Sequence, residues 1–190
     1  MVFIGWRQKM NKAYCWLPNP PNVGHASLDI SFGQGLGKAE YVSWWPTGGS
    51  GSKGSRGAKP LKPGEVFQAG LNNFPDDCAS EGGNPNLTVE VTCLDEDRMR
   101  ATFTEMKKNL TYNMAVKSCA TAVVEVLLAG GACLSFDCLA YAQRHVVWTP
   151  METNTFAKLI NMNASAISDG IKNGFKPVFQ FVMPNPRSGF

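Results

Sequence analysis

The sequence predicts an α+β domain, and three observations carry that prediction. Short segments of alternating apolar and polar residues recur before residue 95. Helical periodicities follow them, the strongest in the apolar run from Cys119 to Ala129, which stops at Gly130-Gly131. Clusters of Pro, Gly and Asn punctuate the two kinds of segment. The 190 residues, 44% hydrophobic and 11% aromatic, suit one globular domain over 1–190 with a real core.

Taken in order, residues 1–22 open apolar and close in Pro18-Asn19-Pro20-Pro21-Asn22, which cannot be helix interior. Residues 24–32 read as a strand. The glycine-rich 33–37 reads as its turn, and 40–45 as the returning strand, stopped by Pro46. Residues 47–64 are Gly-, Ser-, Lys- and Pro-rich and read as a mobile surface loop. Residues 71–86 read as another polar loop, and 88–93 alternate as a strand ending at Cys93. Asp95 caps a helix through about residue 108, with Met99, Phe103 and Met106 on its apolar face. After the Cys119 helix, a shorter one is expected over 138–143. Thr149 caps another from Pro150 to about residue 161. Residues 177–182 read as a final strand.

Composition excludes several classes. A net charge of +3 from scattered Lys and Arg gives no nucleic-acid footprint. No apolar run approaches the roughly 20 residues of a membrane span, and the N-terminus lacks signal-peptide layout. The six Cys residues include no CxxC pair, and two distant His make a poor zinc ligand set, so neither metal nor cofactor is expected. Cys133 and Cys138 flank a short loop and are close enough in sequence to bridge.

The chemistry centres on Cys119 and His25. A thiol at a helix N-terminus meets the positive end of the helix dipole, which favours the nucleophilic thiolate. His25 starts a strand in which Ser27, Asp29 and Ser31 share its face, while Ala26, Leu28 and Ile30 face the core. Brought beside Cys119, its imidazole completes a nucleophile–base pair. His145, after Gln143-Arg144, reads as a surface or helix-end residue.

A base His needs an orienting group on its second nitrogen. A turn centred near Gly35 puts Tyr41, Ser43 and Trp45 on the face of His25. Glu40 has the wrong parity. Asp29 is about 13 Å away along the strand at roughly 3.3 Å per residue. Ser43, or the backbone carbonyl beside it, is therefore favoured as the third member. The backbone N–H of Cys119 is the simplest oxyanion donor, with Tyr112 and Asn113 as candidates for a second. One of Trp44 and Trp45 must be core; the other is free to wall a cleft.

The ordered set Gly24-His25-Ala26-Ser27-Leu28, Tyr41-Val42-Ser43-Trp44-Trp45-Pro46, Val89 with Leu94-Asp95-Glu96, Tyr112, Ser118-Cys119-Ala120-Thr121-Ala122-Val123 and Trp148-Thr149-Pro150 resembles the circularly permuted members of the NlpC/P60-like, papain-fold superfamily. Such relatives commonly carry Asn-Cys where this chain has Ser118-Cys119. The resemblance implies a small antiparallel sheet packed on the Cys helix. It also implies a cysteine peptidase or amidase with Cys119 as nucleophile, His25 as base and Ser43 as third residue. The expected substrate is a peptide or peptidoglycan. The expected setting is an antibacterial effector toxin secreted by a route that needs no signal peptide, or a domain of a larger secreted protein. It would act in the periplasm of a target cell, with an immunity protein as partner. The same fold also serves acyltransferases, lipid hydrolases and host-protein-directed thiol proteases. A non-catalytic binding module, with Cys119 an inert core thiol, is the remaining reading.

Overall fold

A computed structural model of the chain describes residues 10–20, 23–32, 40–47 and 65–174. The expected turn at 33–37, almost all of the loop 47–64 and the tail strand 177–182 lie outside these residues. Along the chain come strands β1 (Met10–Trp16), β2 (His25–Phe32), β3 (Glu40–Val42), β4 (Trp45–Thr47) and β5 (Phe67–Gly70). Then follow helix α1 (Phe74–Glu81), β6 (Leu87–Val91), α2 (Glu96–Met106), β7 (Thr111–Tyr112) and α3 (Cys119–Ala129). A 3-10 turn (Ala132–Leu134), α4 (Phe136–Gln143), α5 (Pro150–Met162) and α6 (Ala164–Lys172) complete the order. The chain is thus α+β, with two small antiparallel sheets and six α-helices among the described residues.

The first sheet has the order β3-β2-β1-β6 and the second β4-β5-β7. The hairpin expected at 24–45 is present only in part. Leu28 pairs with Val42 and Ile30 with Glu40, but the second strand leaves the sheet after Val42. Trp45 then starts β4 and pairs with Gly70. The cause is visible in the two tryptophans. Trp44 is buried and its indole N–H donates to the Thr111 carbonyl at 2.8 Å, so it belongs to the second sheet's core. Trp45 turns back over the first sheet.

β1 lies at the centre of its sheet and is missing from the sequence expectation. Its last four residues are all buried, so the period-two signal is erased, as expected of a strand covered on both faces. On one face, Ala13, Cys15, Ala26, Leu28 and Ile30 join the core under α3 and α5. On the other, Tyr14, Trp16 and Tyr41 pack on Phe74 of α1. The polar face of β2 is covered at its first residues: His25 is 1% exposed and Ser27 0%.

α1 overturns the loop expected at 71–86. Asn73 caps it by accepting the Asp76 N–H at 2.9 Å, Pro75 sits in its first turn, and Gly82 closes it at φ 79°. α2, α4 and α5 follow their signals, whereas α6 is not among the expected elements. Asp95 caps α2, and Thr149 with Glu152 forms a capping box on α5 behind Pro150. Ser135 caps α4, which starts two residues earlier than expected. No helix among the described residues is long and apolar enough to cross a membrane.

Candidate active site

α3 is the helix on which the site is built. It is apolar nearly all round, which suits a helix surrounded by β2, α2 and α5. Ser118 is its N-cap: the side-chain oxygen accepts the Thr121 N–H at 3.3 Å, and the Ser118 carbonyl accepts from Ala122. Cys119 is the first helical residue and is 7% exposed.

His25 is the first residue of β2, and Gly24 sets it. Gly24 has φ +84°, and a Cβ there would stand 2.6 Å from the Trp16 carbonyl oxygen. The close approach lets Trp16 pair with His25 at the sheet's end. The imidazole packs against two indoles, with centroids 5.6 Å from Trp16 and 4.4 Å from Trp45. The Trp45 planes are within 24° of parallel.

The group on His25 is a carboxylate. Nε2 lies 3.1 Å from Oδ2 of Asp77 and 3.2 Å from Oγ of Ser43. Asp77 is wholly buried and receives three further donors: the Tyr41 hydroxyl at 2.7 Å, the Ser43 hydroxyl at 2.9 Å and the Trp45 indole N–H at 2.7 Å. The Ser27 hydroxyl lies 2.6 Å from that of Tyr41. With the Tyr41 proton committed to Asp77, Ser27 is the donor of that pair. An ionised carboxylate only accepts, so Nε2 carries a proton. Nδ1 is the ring nitrogen not engaged by that carboxylate, and Cys119 lies near enough for its charge and a hydrogen bond to act on the ring.

The electrostatics follow from these contacts. Burial alone pushes the His25 pKa down. The negative charge of Cys119, hydrogen bonds with Asp77 and Cys119, and the Asp77 charge outweigh it and raise it to about 10. Burial pushes Asp77 up, but its hydrogen bonds and the His25 charge hold it below the usual carboxylate range. Glu81, one turn after Asp77, is raised by burial against the opposing pull of His25.

The structure therefore brings together Cys119, His25 and Ser43, the three residues singled out from sequence, and adds Asp77. Ser43 touches both His25 and Asp77, so it steadies the carboxylate as much as the ring. Of the two oxyanion candidates, Asn113 is committed elsewhere. Its side chain accepts from the N–H groups of Ala115 and Val116 and donates to the Glu65 carbonyl. Tyr112 is buried, and its phenol is raised by burial and by the charge of Cys119. Glu40 pairs with Lys107, away from the site. His145 donates its Nδ1–H to the Tyr141 carbonyl, 2.7 Å away, and packs on Trp148. All six cysteines are free, including Cys133 and Cys138. No group of three or more metal-ligating side chains exists among the described residues.

Asp77 had a local signal: an Asn-x-x-Asp cap with Pro75 in the first turn and glycines at 82 and 83 marks a short helix. Nothing in the sequence says that this helix docks on the face of β2.

Residues 65–173 match the model of a protein family described as the IcsB middle domain. The matched segment takes in Asp77 and Cys119, while His25, Ser43 and Trp45 precede it. No curated protein and no solved structure matches the chain.

Proposed function

The chain belongs to the IcsB middle domain family, and we propose that it is a cysteine acyl-transfer enzyme of permuted papain-like arrangement, cleaving amide bonds through a thioester on Cys119. The observation that carries the reading is the line Cys119–His25–Asp77. A helix-end thiol, a buried imidazole and a saturated buried carboxylate meet in one place.

His25 takes the thiol proton at Nδ1, and the imidazolium is held by Asp77 at Nε2. The Cys119 sulfur attacks the carbonyl carbon. The developing oxyanion is met by the Cys119 backbone N–H and the N-terminal end of α3, with the Tyr112 hydroxyl as second donor. As the C–N bond breaks, His25 returns its proton to the leaving amine. Water, deprotonated by His25, then attacks the thioester and releases the acid and the free thiol. Asp77 stays ionised throughout, because four donors stabilise its charged form.

Peptidoglycan stem peptides are the proposed amide substrate, from the resemblance alone. A second reading, in which the acyl group is apolar and the acceptor is an amine or alcohol, is favoured by a separate observation. Val23, Val66 and Leu71 are exposed aliphatics. Val23 lies two residues before His25, Val66 beside Phe67, which pairs with Tyr112, and Leu71 beside Gly70, which pairs with Trp45.

The test is intact-mass detection of an acyl adduct after incubation with purified peptidoglycan fragments and, separately, with acyl thioesters of short and long chains. A Cys119→Ala control accompanies both. Adducts or cleaved products that vanish in the control support the reading, and the substrate that reacts decides between its two forms. No product and no adduct from either set contradicts it.

A further inference from the structure

Trp45 touches two groups at once. Its indole N–H donates to Oδ1 of Asp77 at 2.7 Å, and its ring lies over His25 at 4.4 Å and 24°. Its place is fixed independently of both, because its backbone pairs with Gly70 in the second sheet. The other partners of the carboxylate come from the first sheet or the adjoining loop: His25 from β2, Tyr41 from β3, Ser43 just beyond. Trp45 is therefore the point at which the second sheet fixes the imidazole–carboxylate pair that the first sheet supplies.

We propose that Trp45 is a positioning residue for the proposed acyl transfer: its N–H anchors the carboxylate, and its ring face holds the His25 imidazolium in the plane that reaches Cys119. The physical reason is that the two sides of an indole do different work. The N–H edge is a donor to an anion. The π face attracts a cation lying over it, most strongly where water is excluded. Trp16 also packs on the ring at 5.6 Å and 41°, but its N–H is committed to the Gly83 carbonyl at 2.8 Å, so it offers packing without an anchor. The charged and titratable groups facing His25 are Asp77 and Glu81 from α1 and Cys119 from α3, with Tyr41 reaching it through Asp77. The indole is the uncharged member of the set, so replacing it changes no charge.

The inference rests on the acyl-transfer reading, but its test does not need a substrate. Two variants separate the two edges: Trp45→Phe keeps an aromatic face and removes the N–H, and Trp45→Leu removes both. The His25 Hε1 resonance is followed by NMR against pH, with His145, the other histidine of the chain, as internal reference. Peptide-mapped iodoacetamide labelling gives the rate at Cys119. In Trp45→Leu the His25 titration midpoint falls by about one to one and a half units, the scale of a desolvated cation–π contact, while His145 does not move. In Trp45→Phe the labelling rate at Cys119 falls roughly tenfold, the effect of losing one hydrogen bond to a charged group. A native midpoint in folded Trp45→Leu overturns the proposal, as does a native labelling rate in Trp45→Phe, which decides alone if the leucine variant does not fold. If these shifts appear and no acyl substrate is ever found, the positioning role stands and the acyl-transfer reading falls.

Discussion

Nε2 of His25 lies 3.1 Å from Oδ2 of Asp77, a partner 52 residues away in sequence and on a different element. Both side chains are buried, and the carboxylate is shared among four donors. Removing the acid leaves three neutral donors and an imidazole without their acceptor. Asp77→Ala is expected to cost about 3–5 kcal/mol, the scale of breaking a buried pair, and to slow labelling of Cys119. Asp77→Asn keeps the volume and loses the charge, so it should cost less in stability while still slowing labelling. Urea denaturation with iodoacetamide kinetics checks both. An Asp77→Ala protein as stable as its parent would mean that the carboxylate is not an organising group.

The pH dependence has a definite sign. The folded-state pKa of His25 is raised to about 10 from an ordinary 6.5. Its contribution to stability is therefore fully present below about pH 6.5 and is lost as pH rises through about 10. Asp77 is lowered, so its contribution is present above the ordinary carboxylate pKa and lost as pH falls through its folded value. The stability difference between the parent and His25→Gln should thus be largest below pH 6.5 and shrink toward pH 10. Urea melts of both proteins from pH 5 to pH 10 measure it. A difference that grows with pH contradicts the assignment.

Gly24 offers a test of how His25 is placed. A methyl group there both strains a left-handed backbone and meets the Trp16 carbonyl at 2.6 Å. Gly24→Ala should destabilise by about 1–3 kcal/mol and displace the imidazole, lowering labelling at Cys119. Thermal melts and labelling kinetics report the two effects. Native behaviour in both would show that the β1–β2 end is looser than the register implies.

The cap of α3 gives a smaller, sharper prediction. Ser118→Ala removes the acceptor of the Thr121 N–H and should cost about 1 kcal/mol, whereas Ser118→Asn, a good cap in its own right, should stay within a few tenths. Thermal melts rank the three proteins. A stabilised Ser118→Ala would refute the capping role.

How much of this was legible in the sequence can be argued residue by residue. Parity puts Tyr41 on the face of His25, because a strand's period of two fixes which side chains share a face; Ser43 and Trp45 reach the site by another route, since β3 ends at Val42 and Trp45 belongs to β4. Leu28 does pair with Val42, and Tyr41, Ser43 and Trp45 all meet at the site. The helix signals of Asp95 and Thr149 are local hydrogen-bond chemistry, and the structure uses both; the cap by Ser118 is a finding of the structure. β1 was invisible because burial on both faces removes periodicity. Asp77 was hidden because it sits on a short polar helix whose docking is decided by Phe74 against Tyr14, Trp16 and Tyr41, contacts that no spacing rule encodes. The split of the second strand at Ser43-Trp44 was likewise decided by Trp44 finding the Thr111 carbonyl in another sheet.

The most direct test of the central claim, that His25 and Asp77 make Cys119 a nucleophile, is a competition among the six thiols of one protein. Iodoacetamide is applied at limiting dose between pH 5 and pH 9, and each cysteine is quantified by peptide mapping in the parent, in His25→Ala and in Asp77→Asn. The account predicts that Cys119, although only 7% exposed, is labelled first near neutral pH, ahead of the more accessible Cys78. It also predicts that this lead is lost in His25→Ala and reduced in Asp77→Asn. If Cys119 instead reacts as slowly as the buried Cys15 and Cys138, with the same profile in all three proteins, it is an inert core thiol and the chain is a binding module.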